Sequence, residues 1–268
     1  MSTLVCFHAH PDDDSIATAG TMGKAKARGH RVVLVVATRG EHGEPVPGVL
    51  AEGEQLAVRR TAETWDAADV LGVDRVEFLG YIDSGMVDTP TSREPWAFCN
   101  AEVDRAAASL AVILTEENAD VLTVNDDHNG DGHPDHVQVH RVGHRAAQLA
   151  GVEQVYESTI NRTQLERFAA IAGNGRAAEQ QEGGLPDLLA DPQFGTSEDV
   201  ITHLVDVTEW LDLKRSAMRT HRSQMADDHF LLAMPDAAFT QSMGTEWYIS
   251  ACSAGENTLA AELFRPFQ

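Results

Sequence analysis

Residues 4–37 read LVCFHAHPDDDSIATAGTMGKAKARGHRVVLVVA, and the fold follows from how that stretch divides. Residues 4–9 are a short apolar run that Pro11 stops, which predicts a buried strand ending near His8. Asp14 and Ser15 are suited to cap a helix running through Arg28. Ile16, Ala19, Met22 and Ala27 fall roughly on one face of it, and Gly29 stands where a left-handed C′ residue is wanted. RVVLVVA at 31–37 then predicts a strand buried on both faces. Strand, helix and strand in such close succession imply a right-handed parallel crossover.

The alternation continues downstream. The pattern predicts a helix near 52–71, a strand at 75–79, a helix near 100–118, a strand at 120–124, a helix near 136–150 and a strand around 154–158. Such an order calls for an α/β fold with a Rossmann-like, doubly wound, mostly parallel sheet. Past Asn161 the signal weakens. Residues 173–197 are rich in Gly, Pro, Gln and Asp and read as a loop-rich insertion, followed by a last helix near 207–224 carrying Trp210, Leu213, Lys214 and Met218. The expected organisation is a metal-binding catalytic core over 1–160, with a smaller loop-rich C-terminal extension over 161–268 that completes the same domain and its substrate pocket. Trp65, Phe78 and Trp210 are expected to pack in the core.

Composition narrows the function classes. Twenty basic against 42 acidic residues leave a formal charge of −22 on 268 residues, with a pI near 4.7. That field repels polyanions, so nucleic acid and anionic membrane surfaces are not expected partners. Cys6, Cys99 and Cys252 are odd in number, far apart and without a Cys-x-x-Cys pair, which argues against a disulfide framework or a zinc–thiolate site and fits a reducing cytoplasm. No signal peptide and no membrane-spanning run are expected. The oligomeric state is left open, a homo-oligomer being compatible with such a fold.

In an open parallel sheet, ligands bind outside the carboxyl ends of the strands. At the first such end, where a dinucleotide-binding fold shows G-x-G-x-x-G, this chain has His8-Ala9-His10-Pro11-Asp12-Asp13-Asp14. Neighbouring carboxylates repel one another unless a positive charge sits among them, and a divalent metal supplies it. Nitrogen from His10 with oxygen from Asp13 suits zinc or ferrous iron. The competing reading is that acids at a helix start merely complement its dipole.

At the second end, after the strand at 120–124, stands Asn125-Asp-Asp-His-Asn-Gly-Asp-Gly-His133-Pro-Asp-His136. His133 and His136 are three apart and share a face on a first helical turn. Asp126, Asp127, Asn129 and Asp131 resemble the start of a calcium loop, but the bidentate Glu and the flanking helix pair are missing. Two imidazoles and one carboxylate drawn from the two strand ends would leave a coordination position open to water, as in a catalytic zinc site.

His10-Pro11-Asp12-Asp13-Asp14 together with Gly132-His133-Pro134-Asp135-His136 resembles the PIG-L/LmbE superfamily of metal-dependent N-deacetylases, whose most similar members act in mycothiol metabolism. The likeness covers residues 3–150 well. It extends to Thr38-Arg39-Gly40-Glu41, Arg60-x-x-Glu63, Leu79-Gly80-Tyr81-x-Asp83-Ser84-Gly85-Met86 and the Lys214-Arg-Ser-Ala-Met-Arg-Thr-His-Arg-Ser-Gln224 helix. By resemblance His10, Asp13 and His136 bind the metal, Zn2+ by expectation, with Fe2+ or another divalent ion as the alternative. Asp12 is the general base, and His133, oriented by Asp135, polarises the carbonyl. Arg60 and Asp83 contact the substrate, although Arg60 paired to Glu63 or Asp66, and Asp83 in a turn, would account for those residues without it.

The residue logic runs parallel. Asp12 adjoins a ligand without being one, so its carboxylate can take a proton from water that a metal acidifies to a pKa of about 7. His133 as an imidazolium would stabilise the oxyanion, a contribution typically of ~3–4 kcal/mol.

The function implied is removal of an N-acyl group from an N-acetylglucosamine-type amino sugar or related small conjugate. The alternatives are an amidase of mycothiol-like S-conjugates and a non-catalytic, metal-containing sugar-binding module. Two departures stand out: Asp14 where many relatives carry Glu, and Asp131 where the mycothiol-precursor deacetylase has a tyrosine. His8 is expected to point away from His10 and be buried, His128 and His140 to lie on a loop and a helix surface, and His221 with Gln224 to reach the pocket by resemblance alone.

Overall fold

The computed structural model describes residues 1–128, 132–173, 189–191, 194–252 and 256–266. Asn129 and Asp131, and most of the loop-rich stretch expected at 173–197, lie outside the described residues. Strands β1 (Thr3–His8), β2 (Arg31–Val36), β3 (Arg75–Phe78), β4 (Val121–Asn125) and β5 (Gln154–Thr159) pair in parallel, in the spatial order β3-β2-β1-β4-β5. Helices α1 (Ala19–Ala27), α2 (Leu56–Leu71), α3 (Val103–Glu116) and α4 (Pro134–Ala150) connect them. The order reverses between β1 and β4, so the loops that follow those two strands open on one crevice.

Why these runs become central strands is visible in β1. Leu4 and Cys6 pack on one face of the sheet with Met22, Leu34 and Leu71, while Val5 and Phe7 pack on the other with Val33, Leu110 and Val142. A strand covered on both faces needs no polar alternation, and β1, β2 and β4 have almost none. Trp65 departs from its expected place. It stands on the solvent face of α2, 49% exposed, because Glu63, Thr64, Ala67, Ala68 and Leu71 form the buried side of that helix.

The C-terminal part adds what its weak pattern hid. After α5 (Arg162–Gly173), strands β6 (His203–Asp206), β7 (Thr245–Ser250) and β8 (Arg265–Pro266) continue the same sheet antiparallel, β7 pairing with β5. The helix expected at 207–224 is shorter: a 3₁₀ turn over Thr208–Trp210 leads into α6 (Leu211–Met218). It stops because the backbone N–H and hydroxyl of Ser223 donate to the Glu63 carboxylate at 2.9 and 2.6 Å, which fixes residues 219–224 as a tight turn. Helices α7 (Phe230–Ala233), α8 (Asp236–Met243) and α9 (Thr258–Leu263) complete the chain. Among the described residues no helix is long and apolar enough to cross a membrane.

The helix after β1 also begins differently from expectation. Asp14–Thr18 form a widened π-helical turn, and Asp14 and Ser15 cap nothing. Glu246 of β7 does the capping instead. Its carboxylate accepts the N–H of Gly20 and of Thr21 at 2.9 Å each, and Lys214 Nζ lies 2.7 Å from it, all in the interior. Lys214→Met leaves a buried carboxylate without its counter-charge. The expected loss is about 3–5 kcal/mol, read as a lower urea midpoint at an unchanged m-value; a change indistinguishable from zero would show that the amide donors alone suffice.

Candidate active site and metal centre

The loop from Ala9 to Asp14 and the loop before α4 meet across the β1/β4 crevice. Asp13 Oδ2 is pinned by the N–H groups of Ala9 and His10, at 3.1 and 2.9 Å. Around that oxygen gather His136 Nε2 at 3.2 Å and His10 Nδ1 at 3.8 Å, and the two imidazole nitrogens stand 3.2 Å apart. Donors bound tetrahedrally at zinc distances lie about 3.3 Å from one another, so the triangle has the dimensions of a metal-binding face. His10 and His136 are buried and Asp13 is nearly so.

The outer nitrogen of His10 is held as ligating histidines commonly are. Its Nε2 faces Asp135 Oδ2 at 3.3 Å and Asp83 Oδ1 at 3.4 Å. Those carboxylates are themselves tied down: Asp135 by the N–H of Ser84 at 2.8 Å, Asp83 by the N–H groups of His42 and Gly85 at 3.1 and 2.7 Å. Burial disfavours a charged imidazole, yet the hydrogen bonds to Asp135 and Asp83, with Asp13 alongside, raise His10 to about 9. Asp13 is likewise held well below the usual carboxylate range, His136 outweighing its burial. The cluster binds positive charge wherever it can, and the donor set fits a divalent cation.

Asp12 lies beside this triangle with φ of 91°, a left-handed conformation costly for a residue with a side chain. Its carbonyl accepts the N–H groups of Ser15 and Ile16, at 3.0 and 3.1 Å, which holds the turn. Burial raises the Asp12 carboxyl above its ordinary value against the opposing charge of Arg60, whose Nη2 is 3.2 Å from Asp12 Oδ1. Arg60 is 4% exposed and also donates to the carbonyls of Pro11 and Gly40. It pairs with neither Glu63 nor Asp66, and both arms of its guanidinium are engaged by the protein itself. Asp83 does sit in a turn, closed by Gly85 at φ of 64°, and its carboxylate points inward to His10.

His133 caps α4: its Nδ1 accepts the N–H of Asp135 at 3.2 Å. With Nδ1 used as an acceptor, the proton resides on Nε2. Burial and the nearby imidazoles of His10 and His136 push its pKa down to about 4, so at neutral pH the ring is a neutral donor rather than the expected imidazolium.

Of the histidines set aside in the sequence, His8 ends β1 and is buried with its Nε2 2.8 Å from Thr18 Oγ1, whereas His10 lies beyond the strand in the turn. His128 pairs with Asp127 at 2.6 Å. His221 is fully buried behind the Asp12 turn, 3.1 Å from Ser15 Oγ, and Ser15 donates to Asp14 at 2.9 Å. Asp14 thus acts as an acceptor beneath the loop. The Glu63–Ser223 clamp that seats His221 was not legible as a contact; its only trace was the Arg60-x-x-Glu63 spacing, which puts both side chains on the buried face of α2.

A loop-borne triangle of His10, Asp13 and His136 that could hold a metal ion stands at the switch point of a doubly wound sheet, flanked by a strained aspartate and a capping histidine. Residues 5–147 match the PIG-L family, described as GlcNAc-PI de-N-acetylase, and the chain belongs to that family of metal-dependent hydrolases of amide bonds. Among its relatives is the 1D-myo-inositol 2-acetamido-2-deoxy-alpha-D-glucopyranoside deacetylase of Acidothermus cellulolyticus, 38% identical over 261 residues that cover 93% of this chain and 88% of the relative. Its counterpart from Nocardiopsis dassonvillei is 40% identical over 237 residues, covering 81% and 83%. The fold is shared with N,N'-diacetylchitobiose deacetylase from Pyrococcus horikoshii, at a TM-score of 0.59 and 22% identity over 94% of this chain and 84% of that one. It is shared also with GalB, the 4-carboxy-2-hydroxymuconate hydratase of Pseudomonas putida, at a TM-score of 0.55 and 16% identity over 96% and 99%. The same scaffold therefore carries more than one reaction.

Gly40 offers a test of how Asp12 is held. Its φ is 62°, and an added Cβ would lie 2.1 Å from Arg60 Nη1. Gly40→Ala is expected to displace the guanidinium and lower kcat by about 10²-fold, the usual cost of misplacing a reacting group by an ångström, with bound metal unchanged. Unaltered turnover would release Arg60 from any part in positioning Asp12.

Proposed function

We propose that this chain is a zinc-dependent deacetylase that removes the acetyl group from an N-acetylglucosamine-type amino sugar, an inositol-linked one by analogy with its relatives. The observation that carries the reading is the triangle of His10 Nδ1, His136 Nε2 and Asp13 Oδ2 with the Asp12 carboxylate at its side. His10, His136 and Asp13 would hold the cation, two nitrogens and one oxygen being a set that suits zinc and leaves a position open. When bound, the cation acidifies water and polarises the acyl carbonyl as a Lewis acid.

The chain's own groups account for the proton movements. Asp12, its pKa raised by burial, accepts a proton from the attacking water as the new C–O bond forms. It returns that proton to the amine nitrogen as the C–N bond breaks, leaving a free amine and acetic acid, whose remaining water-derived proton is released as it ionises. His133 presents its Nε2–H to the oxygen on which negative charge develops. Asp135 and Asp83 keep His10 in the tautomer that turns Nδ1 inward. Arg60 restrains Asp12, a positioning role in place of the direct substrate contact that family resemblance suggested.

A polar hollow of about 430 Å³ opens beside Gly132 and Pro134, bounded by Asp88, Arg93, Asn100 and Arg141. Its polar rim supports binding of a hydroxyl-rich group next to the hexosamine. The stretch 161–268 contributes through His221, which backs the Asp12 turn at Ser15, and Ser223, which holds Glu63, and this supports one continuous unit around the site.

Two measurements test the reading. Asp12→Asn should retain zinc by elemental analysis while amine release from N-acetylglucosaminyl-inositol falls by about 10²–10⁴-fold, whereas His136→Ala should lose turnover together with one equivalent of zinc, the one held by His10, Asp13 and His136. Full activity in Asp12→Asn, or no turnover of any N-acyl sugar by zinc-loaded protein, would remove the catalytic assignment and leave a sugar-binding role. Presented side by side, the acetylated sugar should be cleaved in preference to a cysteinyl-glucosamine S-conjugate; the reverse preference identifies an amidase.

A further inference from the structure

We propose that His140, His144 and Glu157 form a second divalent-metal site of zinc chemistry, on the side of α4 that faces β5 and independent of His10, Asp13 and His136. His140 and His144 are four apart on one helix, so both rings project from the same face. This is the His-x-x-x-His spacing by which helices chelate zinc. Glu157 reaches them from β5: its Oε1 is 2.8 Å from His144 Nε2 and 3.8 Å from His140 Nδ1, and the two ring centroids are 4.4 Å apart. The two nitrogen–oxygen separations, 2.8 and 3.8 Å, lie on either side of the ~3.3 Å expected between donors on one zinc ion.

The backbone explains why the three meet. Gly143 lies between the two histidines, and a Cβ there would fall 2.3 Å from Val124 Cγ1, so α4 touches β4 at this point as only glycine allows. In the parallel register of β4 and β5, Val124 is the partner of Glu157. The closest approach of helix to sheet therefore sets the histidines on either side of Gly143 over the strand that carries Glu157. All three side chains are partly exposed, at 22, 27 and 12%, which leaves room for an ion to enter and keep water ligands.

The charge balance points the same way. Burial, with His144 beside it, holds His140 below its ordinary pKa against the pull of Glu157, and its ring is neutral and ligand-ready at pH 7. A cation would satisfy both rings and the carboxylate at once. The alternative is a set of ordinary hydrogen bonds, His144 to Glu157 and His140 Nδ1 to the Asn125 carbonyl at 3.2 Å. Because α4 begins at the His133 cap and carries His136 in its first turn, an ion here would fasten the helix that presents those residues, a structural role.

Equilibrium dialysis against zinc chloride, read by elemental analysis, decides between them. The full-length protein should bind two equivalents, His144→Ala and Glu157→Gln one each, His136→Ala one, and the double variant His136→Ala/His144→Ala none. Added zinc should raise the Tm of His136→Ala, and that shift should vanish in the double variant. A zinc content that neither His144→Ala nor Glu157→Gln lowers by one equivalent overturns the proposal. So does a zinc-induced Tm shift in His136→Ala that survives loss of His144. Circular dichroism matching the unmodified chain establishes that His144→Ala is folded. None of these readings uses turnover, so they stand or fall apart from the deacetylase reading.

Discussion

Carboxylates crowded into a buried crevice are the constraint around which this molecule is arranged. Asp12, Asp13, Asp83 and Asp135 surround His10, His133 and His136, and removing that much negative charge from water is tolerable only with positive charge among them. Backbone amides of Ala9, His10, His42, Ser84 and Gly85 supply part of it, Arg60 another part. His10, raised to about 9 by its hydrogen bonds to Asp135 and Asp83 with Asp13 alongside, answers to the same surplus of negative charge. The left-handed turn at Asp12 and the glycine at 40 are local costs accepted so that these groups face one point.

The scaffold makes that convergence possible because β1 and β4 are neighbours at the place where strand order reverses, and their following loops cannot avoid one another. Solved relatives of low identity share this frame, a hydratase among them, so the frame does not choose the reaction. What the short loops add to the frame is a cluster of two histidines and an aspartate, His10, His136 and Asp13, with Asp12 adjacent to it.

The parallel half was legible in the sequence because doubly covered strands are written as unbroken apolar runs, and RVVLVV can scarcely be anything else. The meeting of His10, Asp13 and His136 was legible for the same reason: each motif directly follows such a run, and topology supplies the rest. What failed to show depended on partners far along the chain. TEWYIS in β7 is half-buried and mixed in polarity, so it gives no clean period. Asp14 and Ser15 have the chemistry of caps, yet Glu246 does the capping, and no local pattern announces that substitution. The helix at 211–218 was extended too far because the clamp that stops it, Glu63 on Ser223, spans 160 positions. Trp65 was expected to pack in the core, while the helix turned its smaller residues to the sheet.

The Glu246 bond to Gly20 joins residues 226 positions apart, and it has a temporal meaning. As the nascent chain leaves the ribosome, β1 and the aspartate loop emerge first, but the helix behind them waits for its N-terminal acceptor until Glu246, 226 positions further on, has been made. Contacts of such long range close late and slowly. Premature termination before β7 would therefore yield a chain that has His10, Asp13 and His136 yet lacks the acceptor that seats the helix behind the first of them.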